Sequence, residues 1–201
     1  MPSTSANPRR RPQQNRAEVR RGSFLQAAEQ LFGTLGYEAV TMTAIAEQAQ
    51  ASIGTLYDYF PDKPALALAL ITQYIHEAEV HWAKLVQHPP ARRKASIADI
   101  FIEGILEFAH DRPAYLPLLG APLAYARTKA AREPLRRTIA TALQSLKPTL
   151  SADRAFLNAQ VIVEITKGML GVYRQAALKD REAVVTEFKK VMRLYLNDAL
   201  A

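Results

Sequence analysis

The chain has 201 residues, 49% of them apolar and 22% charged, with a formal net charge of +7 and no cysteine. That is ample apolar material for one large or two small packed domains, yet no run approaches the ~18 uncharged apolar residues of a membrane span. Disulfides, thiol catalysis and thiolate metal sites are excluded, the missing thiols fit a reducing cytoplasm, and the positive surplus favours a polyanionic partner.

Residues 1–15 carry Pro2, Pro8 and Pro12 among Ser, Asn and Gln with almost no large apolar groups, which predicts a disordered arm. It is polar without an apolar h-region, so no secretory signal is expected. Arg9, Arg10, Arg11, Arg16, Arg20 and Arg21 crowd the first 21 residues against a single Glu18. Such an arm suits phosphate tracking or simple solvation, and both readings stay open. A first helix is predicted over Arg16 to Leu35, where Phe24, Ala28, Leu31 and Leu35 form one stripe. Gly36 is placed to end it in the left-handed region. Thr41 or Thr43 caps a second short helix with Ile45, Ala46 and Ala49 inward, and Ser52 caps a third that ends at Phe60 before Pro61. Asp62 caps a fourth, with Pro64 in its first turn, running to about His88. At ~1.5 Å per residue that helix is ~40 Å long, so it should cross from a small head into a larger body. After Pro89 and Pro90, further helices are expected near 92–110, 113–146 (broken at Pro113, Pro117, Pro122 and Pro134), 152–178 and 181–199. Nothing alternates with period two for long and no repeat is visible. The predicted fold is all-α: a basic arm (1–15), a helix-turn-helix head (16–63) and a helical body (64–201).

The third helix has the character of a groove reader. At ~100° per residue, Ser52 and Phe60, and less squarely Ile53 and Tyr59, fall near an inward Leu56, while Gly54, Thr55, Tyr57 and Asp58 fall outward. Gly54 allows close backbone approach at a cost of about 1 kcal/mol against Ala. Thr55 offers a hydroxyl and a methyl, and Tyr57 a ring and a phenol. The helix starts at Thr41/Thr43 and Ser52 present N–H groups and positive dipole ends suited to phosphates, with Lys63 beside them.

Here the chain resembles the TetR family of transcriptional regulators. Gly36-Tyr37 ends the first helix, Thr41 precedes Ile45-Ala46, Ser52 to Phe60 reads Ser-x-Gly-Thr-Leu-Tyr-x-aromatic-Phe, and Lys63 follows. The match covers about Ala17 to Leu70. The resemblance implies a cytoplasmic homodimer that binds a pseudo-palindromic double-stranded DNA operator, usually as a repressor, and is released by a small effector. Carried over by position, Thr41, Ser52 and Tyr59 would contact phosphates, Gly54, Thr55 and Tyr57 would face bases, and Lys63 would hold a phosphate; Thr43, Ile53 and Asp58 complete the candidate surface. There are departures. The turn reads Ala49-Gln50-Ala51 where Ala-Gly-Val is usual, so a left-handed Gln50 would be strained. Ile53 replaces a basic or polar residue, and Asp58 suits a cytosine amino group better than a phosphate.

In the body, the 152–178 helix is apolar nearly all round, and the last helix repeats Val184, Phe188, Val191, Met192, Tyr195 and Ala199. Pairing of these two helices with their twins predicts a four-helix interface using Phe156, Val163, Leu170, Phe188, Met192 and Tyr195; an intramolecular core is the alternative. Two-fold symmetry would set the reading helices about 34–36 Å apart. An apolar effector pocket is expected among Trp82, Phe101, Phe108, Tyr115, Tyr125, Glu164 and Tyr173; each aromatic is also interpretable as ordinary core, whereas Glu164 is a carboxylate that needs solvent, a cation or a polar ligand. Glu77 and His81 at i, i+4 make a poor metal site, and no metal, cofactor or catalytic constellation is predicted. Two alternatives remain: an all-helical small-molecule-binding protein or enzyme without DNA affinity, and a polybasic membrane-surface protein, the latter disfavoured because the arm has no apolar face.

Overall fold

A computed structural model describes residues 10–87, 96–123 and 133–201. They form α1 (Arg10–Leu35), α2 (Met42–Gln48), α3 (Ile53–Tyr59), α4 (Lys63–Gln87), α5 (Ile97–His110), α6 (Tyr115–Leu119), α7 (Glu133–Leu146), α8 (Ala152–Gln175) and α9 (Arg181–Leu200), with a 3-10 turn at Leu178–Asp180 and no strand among the described residues. Arg9 and Tyr125 lie outside them.

α1 starts at Arg10, six residues before the predicted Arg16. Its buried side chains are Phe24, Leu25, Ala27, Ala28 and Phe32. Leu35, expected in that stripe, is exposed. Phe32 takes the place because the chain turns away at once: Gly36 adopts φ 79° and donates to the Phe32 carbonyl at 3.0 Å. Tyr37 then folds back with its ring 5.5 Å from that of Phe32. The α2–α3 turn is a Schellman motif, with Ala51 N–H bonded to Ala46 O and Gln50 N–H to Glu47 O. Gln50 occupies its left-handed position at φ 51°, a conformation that costs an L-residue about 1 kcal/mol.

α4 joins head to body, as its length predicted. Leu66, Leu70, Tyr74, Ala78 and Trp82 are all buried at four-residue steps. A four-residue step overshoots one turn by about 40°, so the stripe winds round the helix. It meets α1 near its start and α5, α6 and α7 further along.

In the body, α8 packs between α7 and α9, and α9 also packs on α5. By length and composition α8 would suit a membrane span, but it packs between two helices of its own body, its buried face formed by Ala155, Asn158, Ala159, Ile162, Met169 and Leu170. Three expected interface residues are spent inside the protomer. Met192 and Leu170 are buried, 0% and 1% exposed, because they lie on the faces by which α9 and α8 meet their own neighbours, and Val163 lines an internal cavity. Phe156, Phe188 and Tyr195 are half-buried against the same core. The apolar groups that do reach the surface are Leu157 and Val172 on α8 and Val191 and Leu194 on α9, Leu194 being 72% exposed. Heptad spacing finds the apolar faces of such helices without telling which one meets the protein's own core.

Candidate nucleic-acid interface and ligand cavity

Both short helices of the head begin on a side-chain cap. Thr41 Oγ1 accepts from Ala44 N–H at 3.1 Å, and Ser52 Oγ from Thr55 N–H at the same distance. Leu56 is buried in the head core with Ile45 and Phe60, which fixes the rotation of α3. Gly54, Tyr57 and Asp58 point outward as predicted, Tyr57 being 50% exposed. Thr43 on α2 is exposed as well.

Four residues differ from expectation. Ser52, placed near the inward Leu56, is exposed. Ile53 is on the open side, 38% exposed, in the first turn of α3. Thr55, predicted outward, is half-buried, and its hydroxyl lies 2.8 Å from Ser52 Oγ. Lys63 does not reach outward. Its ammonium donates to the carbonyls of Tyr37 (3.0 Å), Glu38 (3.2 Å) and Val40 (2.9 Å) and sits 4.5 Å from the Tyr37 ring centre. These bonds staple α4 to the α1–α2 loop, a structural role for Lys63 that the sequence reading did not include. Tyr59 is half-buried against Phe24, ring centres 5.6 Å apart.

Gly54 carries the most information. A Cβ built there meets nothing nearer than Ser52 Oγ at 3.9 Å, and its φ is not positive. The fold itself therefore has no use for a glycine here. Basic charge flanks this surface: Arg16, Arg20 and Arg21 are exposed on α1, and Arg21 stacks 5.4 Å from the Phe60 ring centre.

The body holds a partly open cavity of about 200 Å³ lined by residues of α4 to α8. Trp82, Phe101 and Tyr115 line it as predicted. Trp82 and Phe101 are stacked at 4.6 Å. Phe108 is instead wedged between His81, Tyr115 and the Arg112 guanidinium. Tyr173 lies under Arg181 towards the end of α8. Glu164 points away from the cavity and pairs with Arg136 and Lys167. Most of the lining is aliphatic, from Ile71 on α4 to Leu170 on α8, and Tyr74, Thr166 and Lys167 supply polar atoms. Tyr74 was legible as a member of the four-residue stripe on α4; the aliphatic lining has no sequence mark that separates it from core.

The family model for bacterial regulatory proteins of the tetR family matches residues 24–70, and that for the tetracyclin repressor-like C-terminal domain matches residues 94–196. The HTH-type transcriptional repressor KstR of Rhodococcus jostii is 28% identical over 141 residues, 67% of this chain; the chain spans 65% of that relative's length. Among solved structures, a TetR-family regulator from Streptomyces coelicolor superposes with a TM-score of 0.68 at 18% identity over 90% of this chain and 99% of its own. FadR of Thermus thermophilus, a TetR-family repressor in complex with lauroyl-CoA, gives 0.62 at 24% identity over 88% and 93%. At such identities the structures establish the likeness of fold.

Proposed function

The chain belongs to the TetR family of bacterial regulatory proteins, and we propose that it is a cytoplasmic homodimeric repressor, released from a pseudo-palindromic operator by a small, largely apolar effector. The observation that carries the DNA-binding half is Gly54, a glycine within a helix, unneeded by its own fold and flanked by exposed Tyr57 and Asp58. Close approach to a base edge or phosphate is the use that offsets its cost of about 1 kcal/mol. In this reading Gly54, Tyr57, Ile53 and Asp58 face the major groove, with Thr55 at its edge. Thr41, Thr43, Ser52 and Tyr59 meet the backbone.

The exposed Leu157, Val172, Val191 and Leu194 support a two-fold interface between α8 and α9 of two copies. The apolar cavity supports an apolar effector, and the lauroyl-CoA bound by the Thermus protein is consistent with one. α4 is the lever, since its buried stripe runs from Leu66 beside the head to Trp82 in the cavity wall. A ligand favouring the released state by about 3 kcal/mol weakens binding about 100-fold.

Mobility of DNA from upstream of the gene tests this. The protein should retard it with salt-dependent affinity, and Tyr57→Ala should weaken the shift about tenfold. Ligand binding without affinity for any genomic fragment would overturn the reading in favour of a small-molecule-binding protein.

A further inference from the structure

α1 outgrows the head it belongs to. Among its described side chains Phe24 is the first to be buried, and every residue from Asn15 to Gly22 is exposed. At ~1.5 Å per residue that stretch projects by ~12 Å. Its charge is sided. Stepping ~100° per residue from the middle of the face buried through Phe24 and Ala28, Arg20 and Arg21 fall within about 60° on either hand. Glu18 falls about a quarter turn round and Val19 on the back. The side that is apolar inside the head thus turns basic beyond it, and it looks towards α3. Phe24 meets Tyr59 with ring centres 5.6 Å apart, and the Arg21 guanidinium lies 5.4 Å from the Phe60 ring centre.

Among the described residues the guanidiniums of Arg16, Arg20 and Arg21 enter no ion pair. Those of Arg112, Arg137 and Arg193 in the body each face a carboxylate. The extension therefore holds positive charge in reserve beside the candidate DNA surface. A lipid surface asks for an apolar face, whereas the back of the extension presents Val19 among Asn15, Arg16, Gly22 and Ser23. Duplex DNA asks for charge. A helix about 10–12 Å across is too wide for a minor groove of about 6 Å, and α3 takes the major groove, which leaves the phosphates. Resting on the reading of α3 as the groove-facing helix, we propose that Arg16, Arg20 and Arg21 form a second DNA-binding element, a helical clamp on the phosphates flanking that groove. It holds the duplex without reading its sequence.

Fluorescence anisotropy of the full chain with labelled upstream DNA, and with a scrambled duplex of equal length, tests this. Each phosphate contact given up lowers the slope of log affinity against log salt by about 0.9, so Arg16→Gln/Arg20→Gln should lower it by about three to four on a two-fold dimer. Affinity for both duplexes should fall by the same factor, at least about tenfold. Both side chains are exposed and unpaired, so the melting temperature should not move. Gly22→Pro keeps every charge but interrupts the helix between head and extension, and it should weaken both duplexes as well. Retained affinity in Gly22→Pro overturns the helical clamp in favour of a loose polycation. An unchanged salt slope in the double variant overturns it in favour of a solvated face, and an altered ratio between the two duplexes in favour of base reading. Binding to phosphatidylglycerol vesicles that the double variant loses, with its DNA slope intact, assigns the arginines to lipid instead. Tyr57→Ala separates the clamp from the reading beneath it: preference for upstream DNA should shrink while the salt slope stays. Failure of the unaltered protein to bind either duplex overturns that reading and the clamp together.

Discussion

The phenol of Tyr74 donates a 2.6 Å hydrogen bond to the carboxylate of Glu29, joining the cavity wall on α4 to α1 of the head. Burial raises the Tyr74 pKa well above the ordinary phenol value, and the bond to Glu29 and the charges of Glu29 and Glu77 raise it further. The hydroxyl therefore stays a donor throughout the working pH range. The Tyr74 ring also meets Tyr115 edge-on at 5.8 Å, and nearby Gly33 of α1 lies so close to Pro113 that a Cβ there would sit 2.5 Å from the proline side chain. This directional bond and this close contact both couple head and body. A hydrogen bond to a charged group contributes about 1.5–3 kcal/mol. In urea unfolding, Tyr74→Phe and Glu29→Gln should each destabilise, and the double variant should lose less than the sum by at least about 1 kcal/mol. Strict additivity would show that the bond couples nothing.

Gly54→Ala should move stability and DNA binding in opposite directions. With no internal atom near the added methyl, the variant should melt higher, by up to about 1 kcal/mol of stability from helix propensity. Its affinity for the upstream DNA should fall at least about tenfold if the backbone there lies against the groove. Unchanged binding in a stabilised Gly54→Ala protein would leave the glycine without a function.

The head was legible because its signals are local and each has its own cause. Thr41 and Ser52 cap, Gly36 turns left-handed, Gln50 is strained where glycine is usual, and Leu56 is inward. Two of the misses there lie at helix ends, Leu35 where the chain leaves α1 and Ile53 in the first turn of α3, while Thr55 is half-buried with its hydroxyl beside that of Ser52. Lys63 was read from its charge, whereas three loop carbonyls brought together only by the fold decide its role. The body was legible as helices but not as a site. α8 is apolar on several faces, so period alone does not distinguish Val163 at the cavity, Leu170 in the core and Val172 at the surface. Glu164 was recognised as a carboxylate needing a partner, but its partner Arg136 belongs to α7.

Residues of α9 two apart should fail in different ways. Leu194→Arg, at an exposed position, should shift sedimentation towards the monomer at micromolar concentration and weaken operator binding, with little loss of protomer core. Met192→Ala empties a fully buried position and should cost about 2–5 kcal/mol in unfolding. A Leu194→Arg protein that stays dimeric would move the interface off this face.

Acid should loosen the junction of α5 and α9 through Asp99. Burial by itself raises the pKa of this carboxyl, but the 2.6 Å bond from Arg193 and the Ser96 hydroxyl and backbone N–H bonds outweigh it and hold the net value below that of an ordinary aspartate. Between its folded and unfolded pKa values the unfolded chain binds more protons, so stability rises with pH there. The contribution is complete above the unfolded value of about 3.9 and disappears as pH falls through the lower folded value. Asp99→Asn lacks the charge at every pH. The gap in urea midpoint between wild type and Asp99→Asn should therefore be widest near neutrality and close as the pH drops below about 4. A gap that stays constant down to strongly acid pH would mean that Asp99 acts as a neutral helix cap and that Arg193 contributes nothing through its charge.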